Sequence, residues 1–229
     1  MSKTKTDVAT VAPATSMVAP YDPNVARGQG RGNEDVKVDS LTIPRLKLLQ
    51  KMSDEVDKFH SSYIEGAEPG HFLNSLTDEL HRSAIYVINV KFTESFAVWK
   101  KRELGGGLVR SCKSLSEAQE VLDLQDKPAD FQLQHNHSHL LLLKDPATGA
   151  LGKPVLMDFN SSKMSVSKNW NTMINTKGGD RFCGLWKLSP VNQTNKAGQI
   201  YLNLRVDFEG FALEDDYKAA EAVYEAFAS

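Results

Sequence analysis

Short apolar segments alternate with turn-forming residues over most of the chain, which is the pattern expected of β-strands. The clearest segment is 84–92, where β-branched and aromatic residues predict a strand. Residues 95–101 either continue this strand or follow it as a second one, and a triple glycine at 105–107 ends the region. Further strands are predicted over 182–188 and 199–208, and residues 139–159 predict a strand, a turn at 145–149 and a strand.

Three segments carry helical signals instead. Ser114 and Glu117 match a capping box, in which each residue's side chain accepts a backbone N–H at the helix start. Helices are predicted over 114–124, from a serine cap at 161 or 162 to Gly178, and over 213–227, where apolar residues recur at spacings of three and four. Helices are too few for a parallel α/β fold. The sequence predicts a mainly β protein with helices (α+β), an OB-like antiparallel β-barrel with one inserted helix and a C-terminal helix.

The first 40 residues lack the large apolar side chains that a core needs. Residues 1–40 are therefore predicted to form a disordered tail. An Arg/Gly run at 27–32 is either a flexible linker or a flexible contact for phosphates and bases. The OB-like domain is expected over 41–212, followed by an acidic amphipathic helix over 213–229.

The chain has 229 residues, of which 41% are hydrophobic and 24% charged, enough for one substantial domain. Its two cysteines, Cys112 and Cys183, form neither a CxxC pair nor a disulfide framework, so a reducing compartment is predicted. The longest apolar run, 140–143, is far shorter than a membrane span. These features predict a soluble protein of the cytoplasm, the host cytoplasm if a phage encodes it.

The formal net charge is −2, but the charges are segregated along the chain. Residues 82–113 contain seven basic and two acidic side chains, and residues 161–205 contain seven basic side chains and one acidic. From residue 206 onward the balance reverses to seven acidic side chains and one basic. The near-zero total excludes a polycation, yet it leaves room for two local basic surfaces of the kind that bind nucleic acid.

Aromatic residues lie in both basic regions, and these regions include all three tryptophans. Single-stranded nucleic acid is bound by this combination, because cations follow the phosphates while rings stack on bases. The alternative is that the rings fill the interior of the barrel and the lysines are its solvated face. The candidate binding residues are Tyr86, Trp99, Lys100, Lys101, Arg102, Arg110, Lys163, Lys168, Arg181, Trp186 and Lys187.

His135, His137 and His139 form the sharpest local pattern. Alternation along a strand places all three imidazoles on one face, with neighbours about 7 Å apart. Two of them can share a metal ion, with Cys112, Cys183 or His71 as a third ligand. No acidic residue flanks the cluster, and its neighbours are polar, so neither a metal nor a cofactor is predicted. A phosphate loop and the GxSxG, HExxH and kinase motifs are also missing from the sequence.

Five segments share the layout of one known class of proteins. They are 43–50, the turn at 66–72, Trp99–Arg102 with the glycines that follow, 161–171 and 203–210. Together, over roughly residues 41–229, they resemble the single-stranded-DNA-binding proteins of bacteriophages. The resemblance implies an OB-like barrel, sequence-tolerant binding of single strands and an acidic C-terminus that contacts replication partners. The chain departs from this class in its C-terminus, which has the periodicity of an amphipathic helix.

The sequence therefore predicts a non-enzymatic protein that binds and protects single-stranded DNA during phage replication or recombination. Replication or recombination proteins are expected to dock on the acidic C-terminus, and a homo-oligomer is compatible with this interpretation. Two alternatives remain open. One is a metal-dependent enzyme built on a β-barrel around the three histidines, and the other is a phage structural or host-interaction protein.

Overall fold

The computed structural model describes residues 42–195 and 197–227. The tail predicted over 1–40, with its Arg/Gly run, lies outside these residues. The strands are β1 (Leu46–Leu48), β2 (Phe72–Asn74), β3 (Leu80–His81), β4 (Ile85–Lys100), β5 (Leu108–Cys112), β6 (Phe131–Lys144), β7 (Leu151–Asn160), β8 (Gly184–Thr194) and β9 (Ile200–Phe211). The helices are α1 (Leu115–Asp123), α2 (Met164–Lys177) and α3 (Glu214–Ala226).

Six of these strands form one antiparallel sheet in the order β7-β6-β4-β8-β9, with β5 paired to the far end of β4. The other three form a small antiparallel sheet in the order β1-β2-β3. The mainly β, α+β class is thus confirmed. The predicted barrel is not confirmed, because the edge strands β7 and β9 do not pair with each other in the described part of the chain.

The strand β4 runs without interruption through both predicted segments, 84–92 and 95–101. A β-bulge between Asn89 and Lys91 shifts its register against β6 and lets the strand bend while it continues. Its first residues pair with β8, its last residues pair with β5, and β6 lies along its whole length. Therefore β4 connects the two ends of the sheet.

The three predicted helices are confirmed. At the start of α1, Ser114 Oγ accepts the Glu117 N–H at 3.2 Å, and the Glu117 carboxylate accepts the Lys113 N–H at 3.1 Å. The helix α2 ends at Gly178, whose φ of +74° is readily adopted only without a side chain. No helix within 42–195 and 197–227 is long and apolar enough to cross a membrane.

The large sheet buries apolar side chains on both faces. One face, which we call the α2 face, packs against α2 and the small sheet, and here Trp186 of β8 contacts Trp170 of α2. The opposite face, the α3 face, packs against α3 and includes Ile88 and Leu142. The central strands β4 and β6 therefore alternate between two covered surfaces over part of their length.

The helix α3 belongs to the same compact unit as the sheet, which extends from Thr42 onward. Ala220 of α3 is fully buried, and Asp216 forms an ion pair with Lys144 of β6. Near the end of the helix, Lys91 donates to the carbonyl oxygen of Phe227. The predicted acidic, amphipathic helix is therefore present, and its apolar side is used in packing.

Candidate nucleic-acid interface and histidine cluster

A groove of about 690 Å³ lies between the β8–β9 hairpin, the segment after β1 and the start of α2. It combines two lysines, an aromatic ring and four side-chain amides, the groups that bind phosphates and bases. Met52 at its rim is 94% exposed. We call it the hairpin groove; its lining residues are Gln50, Lys51, Met52, Ser162, Lys163, Asn192, Asn195, Gln199, Ile200, Tyr201 and Leu202.

Side-chain amides hold the walls of the hairpin groove in place. Gln50 donates to the Leu202 carbonyl at 3.0 Å and accepts the Leu202 N–H at 3.1 Å, so it completes the edge of β9. Asn203 donates to the Ser162 carbonyl at 3.2 Å, which ties β9 to the turn before α2. Both contacts join a side chain to a main-chain group of another element, so they hold the walls of the groove together.

A second depression, of about 380 Å³, lies where β6 extends past the end of β7. The pairing of the two strands stops at Asn136 and Asn160, so among the described residues the first part of β6 pairs only with β4. We call this depression the edge groove. It is adjacent to the hairpin groove along the chain, since Ser161 lines the edge groove and Ser162 lines the hairpin groove. Its lining residues are Gln132, Leu133, Gln134, His135, Ser161 and Met164.

The predicted basic segment at the end of β4 lies beside the edge groove. In the register of the sheet, Trp99 faces Gln132 and Lys100 faces Phe131. Lys100 and Arg102 are exposed, and Trp99 is half-buried. The two grooves, the segment Trp99–Arg102 and Lys168, which lies one helical turn after Met164, together form what we call the binding tract.

Lys163 lines the hairpin groove, and its chain neighbours Ser161 and Met164 line the edge groove. Burial lowers the pKa of Lys163, and the nearby Asp158 carboxylate offsets part of this effect. Lys163 precedes α2, and no side chain caps this helix start. The positive end of the helix dipole therefore adds to the positive charge of the lysine between the grooves.

Three of the predicted residues lie elsewhere. Trp186 is 1% exposed and packs against Trp170 and Phe208 in the core, so the prediction that it stacks on bases is wrong. Lys187 lies over the ring of Tyr86, 5.8 Å from its centroid, at the opposite end of β4 from Trp99. Neither residue of this pair lines the binding tract.

Two predicted arginines are occupied by other partners. Arg110 forms an exposed ion pair with Glu117 of α1 at 3.1 Å. Arg181 donates to Asn171 Oδ1 at 3.0 Å and lies over the ring of Phe92, 5.4 Å from its centroid. Burial lowers the pKa of the Arg181 guanidinium. Both arginines thus already have partners within the fold, and neither lines the two grooves.

The three histidines of β6 face the same side of the sheet, as their spacing predicts. Strand β4 supplies an acidic neighbour that no local sequence pattern indicates, since Glu94 lies opposite His137 in the register. Glu94 Oε1 lies 2.5 Å from His135 Nε2 and 3.6 Å from His137 Nε2. The ligand atoms of these three residues lie within 4.8 Å of one another. Cys112, Cys183 and His71, the expected third ligands, are not in this cluster.

His139 has a different role from the other two histidines. It is fully buried, stacks on Trp170 with ring centroids 4.8 Å apart, and uses both ring nitrogens. Its Nδ1 lies 2.8 Å from the Asn89 amide nitrogen, and its Nε2 lies 2.7 Å from Ser167 Oγ. Burial keeps the pKa of His139 well below the usual range, with a smaller contribution from the positive charge of Arg181. It is therefore a neutral core residue.

His137 connects the buried Ser167 to the exposed Glu94. Its Nδ1 lies 2.8 Å from Ser167 Oγ, and its Nε2 points to Glu94. Burial lowers the pKa of His137 and His135 adds to this effect, while the Glu94 carboxylate opposes it. Histidine binds metal ions as the neutral imidazole, through a ring nitrogen that carries a lone pair.

Comparison with known proteins identifies the family. A sequence model of the Pam3 phage gp34-like proteins matches residues 14–229. The chain belongs to this family. None of the curated proteins and none of the solved structures compared with the chain matches it. The family name places the chain among bacteriophage proteins and assigns it no activity.

Four residues important to these sites are not among the candidates from sequence. In this member of the gp34-like family, Lys51 and Tyr201 line the hairpin groove, while Glu94 and Ser167 contact the histidines. Tyr201 is visible in the sequence as an aromatic residue of the second basic region. The other three depend on strand register and helix placement, for which the local pattern gives no signal.

Proposed function

We propose that this phage protein binds single-stranded DNA without sequence preference and protects exposed strands during replication or recombination. One observation carries the proposal: the binding tract places lysines, amides and rings along two adjoining grooves. Among the described residues that line these grooves there is no Asp or Glu. A nucleic-acid backbone carries a negative charge at every phosphate, so a path lined by cations and neutral amides favours it electrostatically.

The chemistry of the tract divides into two kinds of contact. Lys51, Lys163 and Lys168 meet the phosphates, and the basic end of β4 extends this contact beyond the edge groove. Tyr201 and Trp99 stack on bases, at roughly 1–3 kcal/mol per base. Stacking and phosphate contacts both tolerate any base sequence, which agrees with a protective role. An open sheet with a groove at its edge serves this purpose without the closed OB barrel.

The acidic helix α3 covers the face of the sheet opposite to α2. Its carboxylates therefore do not enter the grooves, and we propose that the exposed ones dock replication or recombination proteins. Glu214, Asp215 and Glu225 are exposed in the described chain. Because Asp216 and Ala220 hold the helix to the sheet, docking leaves the helix in place.

A fluorescence-anisotropy titration with labelled oligo-dT tests the proposal. Affinity should fall with added salt, because binding releases counterions. Lys51→Ala and Lys163→Ala should each weaken binding and reduce the magnitude of the log–log salt slope by about 0.7. Tyr201→Ala should weaken binding and leave the slope unchanged, since stacking releases no counterion.

The matched control is Lys127→Ala, which removes an exposed lysine outside both grooves. Duplex DNA of the same length is the second control, and it should bind more weakly than oligo-dT. No binding of oligo-dT, or equal losses in Lys127→Ala and Lys163→Ala, would contradict the proposal. The first of these results would favour a structural or host-interaction protein.

A further inference from the structure

We propose that Glu94, His135 and His137 bind one divalent transition-metal ion of the zinc type. The three ligand atoms are Glu94 Oε1 and the two Nε2 atoms, and all lie within 4.8 Å of one another. Two imidazoles and one carboxylate are a donor set that suits zinc and its neighbours in the first transition row. The proposal does not rest on nucleic-acid binding.

The strands preorganise this ligand set. His135 and His137 lie two residues apart on β6, and Glu94 occupies the facing position on β4. Phe96 stacks on the His135 ring with centroids 4.5 Å apart, and Phe92 meets the His137 ring edge-on at 4.9 Å. These contacts restrict rotation of both imidazoles. A metal ion at about 2.0–2.1 Å from each atom requires the two imidazole nitrogens to move closer together and the exposed Glu94 carboxylate to move away from His135.

A hydrogen bond behind the site fixes the orientation of His137. Ser167 Oγ lies 2.8 Å from His137 Nδ1 and 2.7 Å from His139 Nε2, and α2 holds this serine fully buried. When His137 donates its Nδ1 proton to Ser167 Oγ, the lone pair of Nε2 is directed at Glu94. Metal-bound histidines nearly always hydrogen-bond through the second ring nitrogen in this way, and the bond sets both tautomer and ring orientation.

The site is accessible from solvent. The Glu94 side chain is 46% exposed and that of His135 is 33% exposed, while His137 forms the buried side of the cluster. His135 also lines the edge groove. Three protein ligands would leave the fourth position of a tetrahedral ion open to another ligand. An open position is typical of catalytic zinc sites, whereas structural zinc sites use four protein ligands.

The simpler interpretation is that Glu94 only accepts hydrogen bonds from two histidines. The two interpretations differ in what happens when metal is supplied. If Glu94 only accepts hydrogen bonds, zinc should bind the cluster weakly. The affinity should then be no greater than that of any other exposed His–carboxylate pair. The chain contains one for comparison: His60 Nε2 lies 3.9 Å from Asp54 Oδ2 on the surface.

The experiment uses the untagged full-length protein, because a histidine tag would itself bind metal. The protein is equilibrated with zinc, dialysed against metal-free buffer and measured for metal by mass spectrometry. Cobalt(II) is the spectroscopic probe, since its visible absorption reports nitrogen and oxygen ligands directly. We expect one metal ion per chain, and at least tenfold weaker binding in Glu94→Gln and His135→Ala.

Glu94 and His135 are chosen because their side chains are partly exposed, so their loss leaves the core intact. His137→Ala is a further variant, interpreted only with an unchanged circular-dichroism spectrum. His60→Ala is the matched control and should keep full binding. The proposal is overturned if the wild type retains no zinc, or if His135→Ala binds zinc and cobalt as the wild type does.

Discussion

Lys144 at the end of β6 and Asp216 in the first turn of α3 form an ion pair that is largely removed from water. Their side chains are only 14% and 12% exposed. The contact joins residues 72 positions apart and fastens the acidic helix to the sheet at one point. Because both charges are partly buried, each depends on the other for compensation.

Replacing Lys144 by Met should lower the free energy of unfolding by about 3 kcal/mol, because Asp216 would remain buried without a partner. The control is Lys218→Met, which breaks an exposed pair between Lys218 and Glu214 one helical turn apart. That change should cost about 0.3–0.5 kcal/mol. Urea unfolding at neutral pH measures both. Similar losses in the two variants would show that the buried pair is not important for stability.

Gly184 should not tolerate a methyl group. A Cβ at this position would lie 2.7 Å from Trp186 Nε1 and 3.2 Å from the Phe208 ring, and the buried tryptophan has little room to move. Gly184→Ala should therefore reduce stability by about 1–3 kcal/mol. Gly152→Ala is the matched strand variant, since its Cβ would meet its nearest atom at an ordinary 3.5 Å. Thermal unfolding should show a lower Tm for the first variant alone.

The hydroxyl of Ser167 should contribute more to stability than its size suggests. It contacts His137 and His139 in the core, so Ser167→Ala leaves polar ring nitrogens without partners. The expected cost is about 1–3 kcal/mol. Ser165→Ala, on the exposed side of the same helix, removes only a contact to the Ser162 carbonyl. Equal stability of the two variants in urea would contradict the proposed network.

Tyr217 should make stability depend on alkaline pH. Its hydroxyl donates to Asp180 at 2.7 Å, and this hydrogen bond raises its pKa to about 12. The unfolded chain titrates near the ordinary value of about 10, so the stabilisation is complete below that pH and is lost as pH rises to about 12. Unfolding measured at about pH 9 and about pH 11 should show Tyr217→Phe less stable at both values, with a smaller difference at pH 11, where the tyrosine is ionised in the unfolded chain and still protonated in the folded one. If the difference in unfolding free energy between the wild type and Tyr217→Phe were the same at both pH values, this linkage would be excluded.

Zinc should raise the stability of the folded protein. An ion bound only by the native state adds about 2.7 kcal/mol at a free concentration of one hundred times Kd. His135→Ala should lose this increase, whereas His60→Ala should keep it. Thermal unfolding with and without zinc, followed by addition of a chelator, measures the effect. A rise of the same size in both variants would locate the ion elsewhere.

Local sequence patterns predict the elements of this fold well. The Ser114–Glu117 cap, the helix that ends at Gly178 and the amphipathic C-terminal helix all occur as expected. The pattern does not predict sheet closure, because closure depends on whether the edge strands β7 and β9 meet, and each strand has the same alternation in an open sheet. The small sheet is also hard to predict, since its strands have only two or three residues.

The same distinction between local pattern and long-range contact applies to the candidate site residues. The run of charge at the end of β4 predicts surface residues, and Lys100 and Arg102 are exposed while Lys101 is half-buried. The charge pattern does not reveal that Arg110 already has a carboxylate partner. Trp186 illustrates the second difficulty, since a tryptophan next to a lysine on a strand alternates with it between core and surface. Glu94 lies 41 residues from His135, and only strand register brings the two together.

The continuity of β4 has a consequence for how the molecule opens. Hydrogen bonds to β8 at its start, to β5 at its end and to β6 throughout make every part of the large sheet depend on this one strand. Its central amides should therefore exchange with deuterium only through global unfolding, and those at the tip of the β8–β9 hairpin should exchange through local opening. The described residues of this tip that line the hairpin groove are therefore expected to open before the centre of the sheet does.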